Sequence, residues 1–257
     1  MNLPNIFILS LPDAVNRRQS AFSQCIEYAL PFECVDALDF RNKTKWETSA
    51  AYQPTDKAKQ KNKFLSNTEI ACALGHQKIY NKIIAQQIPF SLILEDDFKL
   101  INNPLPLLSH IGTIQKNTEF DVLILGYVKI LEKDLAYHYR RLPIKHTYTC
   151  LNYQFGKPWK QFSCGTVAYI ITLQGAKKLQ SQMIHVTADD WLYFEQQKNT
   201  KILHMHPFIA LEDCENFPSN IRHEKKGHLD IKWSSYMVRS AKGVMKNFLM
   251  NGLQCKQ

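Results

Sequence analysis

Ser91-Leu92-Ile93-Leu94-Glu95-Asp96-Asp97-Phe98 runs a short apolar segment straight into three consecutive carboxylates. The segment, bounded upstream by Pro89, has the length of a strand buried on both faces. Three acids at the mouth of such a strand repel one another and need a strong positive partner. A divalent cation bound through oxygen is the usual one. Glu95 and Asp97 are two apart, so on extended backbone they point the same way. Two readings follow: a solvated acidic turn after a core strand, or a cation site, open on one side, that holds the two phosphates of a nucleotide.

Ser66-Asn67-Thr68-Glu69, just upstream, has the form of a capping box. Ile70, Ala73, Leu74, Ile83 and Ile84 then mark the apolar face of a helix over 66–87, and 90–95 is the strand that ends in the acids. Further strands are expected at 5–11, 31–37, 120–125, 166–172 and 201–205, and helices at 14–27, 175–183 and 189–198. Strands alternating with helices predict an α/β fold with a mostly parallel central sheet flanked by helices. Ligands of such sheets sit outside the carboxyl ends of the strands, where the acidic triplet falls. Residues 129–162 are expected to form a hairpin or an acceptor-side insertion, and the lysine-rich stretch 41–63 a mobile loop.

Together these motifs resemble glycosyltransferase family 25, the lipooligosaccharide galactosyltransferase group. That family carries a Gly-Glu-Ile-Gly-Cys-Ala-Leu-Ser-His-like helix and, further on, a Leu-Glu-Asp-Asp strand end. The counterparts here are Thr68-Glu69-Ile70-Ala71-Cys72-Ala73-Leu74-Gly75-His76 and Leu94-Glu95-Asp96-Asp97. Ile6-Phe7-Ile8-Leu9-Ser10-Leu11 with Arg17-Arg18 matches the family's first strand and paired arginines. Tyr169-Ile170-Ile171-Thr172-Leu173-Gln174-Gly175-Ala176-Lys177-Lys178-Leu179 and Ala188-Asp189-Asp190-Trp191 match its later segments. The likeness spans residues 5–207, with no match in 41–63. Ser10 stands where the family has Asn, Ala71 where it has Gly and Gly75 where it has Ser; none of these changes removes a carboxylate.

The resemblance implies a GT-A-like nucleotide-binding domain over 1–220 and an inverting, metal-dependent hexosyl transfer. Galactose from UDP-galactose onto a lipooligosaccharide core is the first choice. UDP-glucose, UDP-N-acetylglucosamine, or a non-catalytic nucleotide- or glycan-binding homologue are the alternatives. Mn²⁺ or Mg²⁺ would bridge the donor diphosphate. Asp97, farthest past the strand, is the first metal ligand; Glu95 and Asp96 bind it through water or hold the ribose hydroxyls. Ser10, Leu11, Arg17 and Arg18 are further donor-site candidates, against a helix-surface reading for the arginines. Asp190, then Asp189, is the candidate general base beside Trp191, whose ring can stack on a sugar; helix capping is the competing role for both acids. His204 and His206 share a strand face, and His206 is the candidate third metal ligand against a structural reading. His76 has an orienting or packing role.

The net charge of +9 favours anionic partners, though no zinc-finger or RNP-like motif points to nucleic acid. The seven cysteines show no Cys-x-x-Cys spacing, which argues against a zinc ribbon or a disulfide framework. No signal peptide or membrane span is evident, so a cytoplasmic address is expected. The tail, 221–257, is basic. Met237, Ala241, Val244, Met245 and Phe248 follow helical spacing there, with Arg239, Lys242 and Lys246 largely off that stripe. Either the stripe packs on the catalytic domain or it docks the enzyme on the anionic cytoplasmic face of the inner membrane, near a lipid-linked acceptor.

Overall fold

The computed structural model describes residues 3–44, 47–48, 50–217 and 233–252. The strands are β1 (Asn5–Ser10), β2 (Phe32–Asp36), β3 (Phe90–Glu95), β4 (Phe98–Leu100), β5 (Val122–Ile124), β6 (Gly126–Tyr127), β7 (Ile144–Cys150), β8 (Tyr153–Pro158), β9 (Ala168–Thr172), β10 (Ile202–His206) and β11 (Ala210–Glu212). Around them lie α1 (Val15–Glu27), α2 (Asp56–Gln60), α3 (Asn67–Ala85), α4 (Leu105–Ser109), α5 (Ile111–Thr118), α6 (Leu135–Arg141), α7 (Leu173–Leu179), α8 (Trp191–Gln197) and α9 (Trp233–Asn251).

The central sheet has the order β2-β1-β3-β9-β5-β10-β8-β7, and a small second sheet has the order β4-β11-β6. β2, β1, β3, β5, β10 and β7 run one way, β9 and β8 the other. The expected α/β architecture, a mostly parallel sheet flanked by helices, is therefore present, and 129–162 supplies the antiparallel hairpin β7–β8.

The unbroken apolar runs follow from burial on both faces. Along β1, Ile6 and Ile8 enter one core with Leu92 and Leu94, while Phe7 and Leu9 enter the other with Ile93 and Tyr169. α3 covers the second core with Ile79, Tyr80 and Ile83. Its start is the expected capping box: Ser66 Oγ accepts from Glu69 N, and Glu69 Oε2 accepts from Ser66 N at 2.9 Å. Within the 41–63 stretch, α2 begins at a Thr55 cap, and Ala51 and Gln53 exchange backbone hydrogen bonds with Ile184 at 2.9 Å.

The acids are placed by the junction of the two sheets. Asp96 and Asp97 form the turn from β3 into β4, and β4 pairs with β11 so that Phe98 lies opposite Glu212. Asp213 N donates to Asp97 O at 2.7 Å. Asp97, farthest past the strand, is held in a two-residue turn, because β4 follows at once and pairs with β11.

α9 packs on α6 and β7. Gly243 permits this: a Cβ there would sit 2.0 Å from Arg140 O. Asn251 pins the other end, its Oδ1 accepting from His146 N and its Nδ2 donating to Ile144 O, both at 2.9 Å. Ala241, Val244, Met245 and Phe248 of the predicted stripe face away from this contact and are exposed, as are Val238 and Leu249. Among the described residues the helix thus docks through its glycine and asparagine, not through its apolar stripe. Residues 221–232 and 253–257 and the Met237 side chain lie outside the described residues. Gly243→Val is expected to force α9 off Arg140, costing about 1–3 kcal/mol. Gly112→Ala on α5, where nothing lies within 4 Å of the added carbon, is expected to be neutral or stabilising by up to about 1 kcal/mol. Denaturant midpoints of the two variants check the contrast.

Candidate active site

Four chain segments converge at the carboxyl edge of β1, β2 and β3: the ends of β1 and β2, the start of α1 and the turn after β3. Each brings polar groups that the low-dielectric edge forces into pairs. Ser10 Oγ, at the end of β1, donates to Asp96 Oδ2 at 2.6 Å. Arg17, on the first turn of α1, donates to Asp96 Oδ1 at 3.1 Å and Asp97 Oδ2 at 3.0 Å, its Cζ 5.8 Å from the centroid of the Phe217 ring. Arg18 bonds Asp36 Oδ1, Ser10 O and Leu11 O at 2.5–3.0 Å. It thereby clamps the β1 and β2 ends rather than pointing at a ligand. Beside Arg17 opens a recess of about 270 Å³, lined by Leu11, Asp13, Asn16, Arg17 and Arg41 among others.

Glu95 turns the other way, toward α3. Its Oε1 meets His76 Nε2 at 3.3 Å and Cys72 Sγ at 3.7 Å, and accepts from Thr166 Oγ1. His76 Nδ1 lies 2.8 Å from Tyr169 Oη, which lies 2.9 Å from Tyr80 Oη. Cys72 and His76, four apart on α3, reach the same carboxylate because they share a helix face. Burial pushes the Glu95 carboxyl up, but the His76 ring, with Thr166 and Cys72, outweighs it and holds the group below the ordinary carboxylate range.

Asp97 has the opposite balance. Burial, with the charges of Glu95, Asp96 and Glu212, exceeds the pull of Arg17 and raises its pKa to about 8. Its Oδ1 is buried and, among the described residues, lacks a hydrogen-bond partner. Burial also raises Asp96, against Ser10 and Arg17. A cluster this negative, with one orphaned carboxylate oxygen, suits a hard cation bound through oxygen. Glu212 and Asp213 were missed by sequence reasoning. The signal was there: Phe208-Ile209-Ala210-Leu211 runs into Glu212-Asp213 just as the 91–97 stretch runs into its acids.

The two aspartates before α8 differ. Asp190 is the N-cap, accepting from Tyr193 N at 3.1 Å. Asp189 Oδ2 accepts from Gly165 N at 3.2 Å, and burial, reinforced by the charge of Glu95, raises its pKa against the Thr187 and Gly165 bonds. The structure brings Asp189 into the field of the acidic turn and spends Asp190 on the helix. Trp191 cannot stack on a sugar, contrary to expectation. It is fully buried against Tyr169 and Phe194, its Nε1 donating to Gly165 O. Nor do the histidines join the acids. His204 is buried with Nε2 at 2.9 Å from Gln161 Oε1, and burial lowers its pKa to about 3. His206 lies among Tyr139 and Phe208, and burial first, then the neighbouring His204, His138 and His146, hold its pKa well below the ordinary imidazole value. The strand carries both rings toward an aromatic cluster on the α6 side.

Because the folded protein holds Asp97 protonated well above the ordinary carboxylate range, the folded state binds the extra proton. Stability from this group therefore falls as pH rises from about 4 to about 8. In metal-free protein, Asp97→Asn is expected to raise the melting temperature, with a gap that opens over that range and levels off above it. Each kcal/mol recovered should appear as about 2–4 °C. Thermal melts of both proteins from pH 4 to 9 check this.

The model of glycosyltransferase family 25 (LPS biosynthesis protein) matches residues 3–192. Lipooligosaccharide biosynthesis protein lic2B of Haemophilus influenzae is 22% identical over 265 residues, covering 95% of this chain and 89% of that one. The inactive glycosyltransferase 25 family member 3 of Mus musculus is 26% identical over 193 residues, covering 72% of this chain and 30% of that one. The match to the family model takes in β1, Arg17, the α3 cap, the acidic turn and the Asp189–Asp190 pair, and the chain belongs to glycosyltransferase family 25.

Proposed function

We propose that the protein transfers a hexose from a nucleotide sugar to a lipooligosaccharide or lipopolysaccharide core acceptor with inversion, and that galactose from UDP-galactose is the sugar. The observation that carries the reading is the acidic turn at 95–97 with its orphaned Asp97 oxygen, set beside Arg17 and the open recess. Asp97 and Asp96 would hold a divalent cation, Mn²⁺ or Mg²⁺, which when bound neutralises the leaving diphosphate; Glu95, expected to point the same way as Asp97, is turned toward α3 and stands outside its direct ligands. Ser10 and Leu11 form the edge on which the nucleotide lies. Arg17 adds positive charge next to the phosphates, and Arg18 keeps that edge in place through Asp36. His206, placed among aromatic rings, is left out of the ligand set.

In the transfer, an acceptor hydroxyl oxygen bonds to the anomeric carbon from the face opposite the leaving group. The carbon–oxygen bond to the diphosphate breaks, and the hydroxyl proton passes to a carboxylate. Asp189 is assigned that role. Its burial raises its pKa toward the working range of a general base, whereas Asp190 is engaged as a cap.

A sugar-release assay with UDP-galactose, UDP-glucose and UDP-N-acetylglucosamine, each with and without Mn²⁺, tests the reading. Release from UDP-galactose alone, dependent on metal, is expected. Asp97→Asn should lose both turnover and metal-dependent UDP affinity. Asp189→Asn should lose about 10²–10⁴ in rate while still binding UDP. A rate loss confined to Asp190→Asn moves the base there. UDP binding without release from any donor makes the chain a nucleotide-binding homologue, as the existence of inactive relatives allows.

The exposed face of α9 supports a peripheral address at the cytoplasmic membrane face. Val238, Ala241, Val244, Met245, Phe248 and Leu249 lie on one side of the helix, bordered by Lys242, Lys246 and Arg239. No helix among the described residues is long and apolar enough to cross a membrane. Each basic residue near an anionic leaflet contributes about 1 kcal/mol. Co-sedimentation with anionic vesicles is therefore expected to fall with salt and to be lost in a Met245→Glu, Phe248→Glu variant. Equal sedimentation of variant and wild type rules the surface out.

A further inference from the structure

Cys72, His76 and Glu95 offer one thiol, one imidazole nitrogen and one carboxylate oxygen, all within 4.8 Å of one another. We infer that these three side chains form a binding site for a thiophilic transition metal of the Zn²⁺ type, distinct from the hard cation assigned to Asp97. Two of the three ligand spacings match. A tetrahedral Zn²⁺ with ordinary bond lengths sets ligand pairs about 3.3 Å apart for nitrogen and oxygen and about 3.6 Å apart for sulfur and oxygen. His76 Nε2 lies 3.3 Å and Cys72 Sγ 3.7 Å from Glu95 Oε1, and the third pair, Cys72 to His76, lies within 4.8 Å.

The ligands are held as metal ligands usually are. Cys72 and His76 sit four apart on one face of the long helix α3, and Glu95 ends a core strand, so all three stand on rigid elements. The hydroxyl of Tyr169, backed by Tyr80, engages His76 Nδ1 and leaves Nε2 for the ion, the outer-shell contact that fixes a ligating imidazole. Thr166 steadies the Glu95 oxygen. The Glu95 side chain is 24% exposed, so solvent reaches the carboxylate edge of the site.

Soft and hard ions would separate by ligand chemistry: thiolate and imidazole select Zn²⁺ or Co²⁺, whereas the all-oxygen set around Asp97 suits Mn²⁺ or Mg²⁺. Binding releases the thiol proton to solvent as the metal–sulfur bond forms. The site itself stands on side-chain geometry and is independent of the sugar-transfer reading.

Cobalt substitution of the full-length protein, without donor or acceptor, is the test. Co²⁺ should give the intense visible bands of a tetrahedral ion and a thiolate-to-cobalt charge-transfer band in the near ultraviolet. Equimolar Zn²⁺ should displace both; a tenfold excess of Mn²⁺ should displace neither. Asp97→Asn should keep the bands, and Cys72→Ser should lose the charge-transfer band. His76→Gln, which retains the thiol, should bind Co²⁺ at least tenfold more weakly; it serves alone if circular dichroism finds Cys72→Ser unfolded. Absence of tetrahedral bands in the wild type, displacement by Mn²⁺, a charge-transfer band that survives Cys72→Ser in folded protein, or unaltered affinity in His76→Gln overturns the site.

Discussion

Charge crowding at the end of β3 is the constraint around which the rest of the structure is arranged. Three consecutive carboxylates cannot all remain charged at a buried sheet edge without partners. The fold divides them. Glu95 goes to His76, Cys72 and Thr166 on one side, while Asp96 and Asp97 share the single guanidinium of Arg17 on the other. That division explains several features at once. It accounts for the contact of Arg17 across the sheet edge, and for the Ser10 bond to Asp96. It also accounts for the chain of hydroxyls through Tyr169 and Tyr80 behind His76, deep in the second core.

The small second sheet makes the crowding worse rather than better. Pairing of β4 with β11 sets Glu212 opposite Phe98, next to Asp97, and the Asp213 amide bonds the Asp97 carbonyl. This stiffens the turn but adds negative charge to it. A turn so held cannot swing Asp97 into solvent to be hydrated, so the carboxyl answers by keeping its proton. Rigidity and a displaced pKa here have one cause.

The sequence made the central sheet legible where local rules suffice. The Ser66–Glu69 box, the apolar alternation of β1 and the uninterrupted run of β3 each fix an element without tertiary help. β4, β6 and β11 were not legible. At two or three residues each they carry no periodicity, and they exist only through pairing between distant segments. The site followed the same rule. The acidic turn and Arg17 stood out by type and spacing, but the partition of the three carboxylates did not. It depends on which helix face meets which strand end. His206 and Trp191 misled for the same reason: each has the right chemistry for a site, and burial within an aromatic cluster gives each a packing role.

Inactive members of the family raise the question of what an unused site would look like. A buried carboxylate with an orphaned oxygen destabilises a fold, and the remedy is a single substitution to an amide of the same shape. This chain carries an aspartate, not the amide, at 97 among Glu95, Asp96 and Glu212, all of which make its ionisation less favourable. Local rules broken without structural compensation mark functional positions more often than structural ones. The cost concentrated at Asp97 is therefore an argument for a ligand that relieves it. The same argument does not extend to Asp190, whose carboxylate is fully accounted for by the helix it caps.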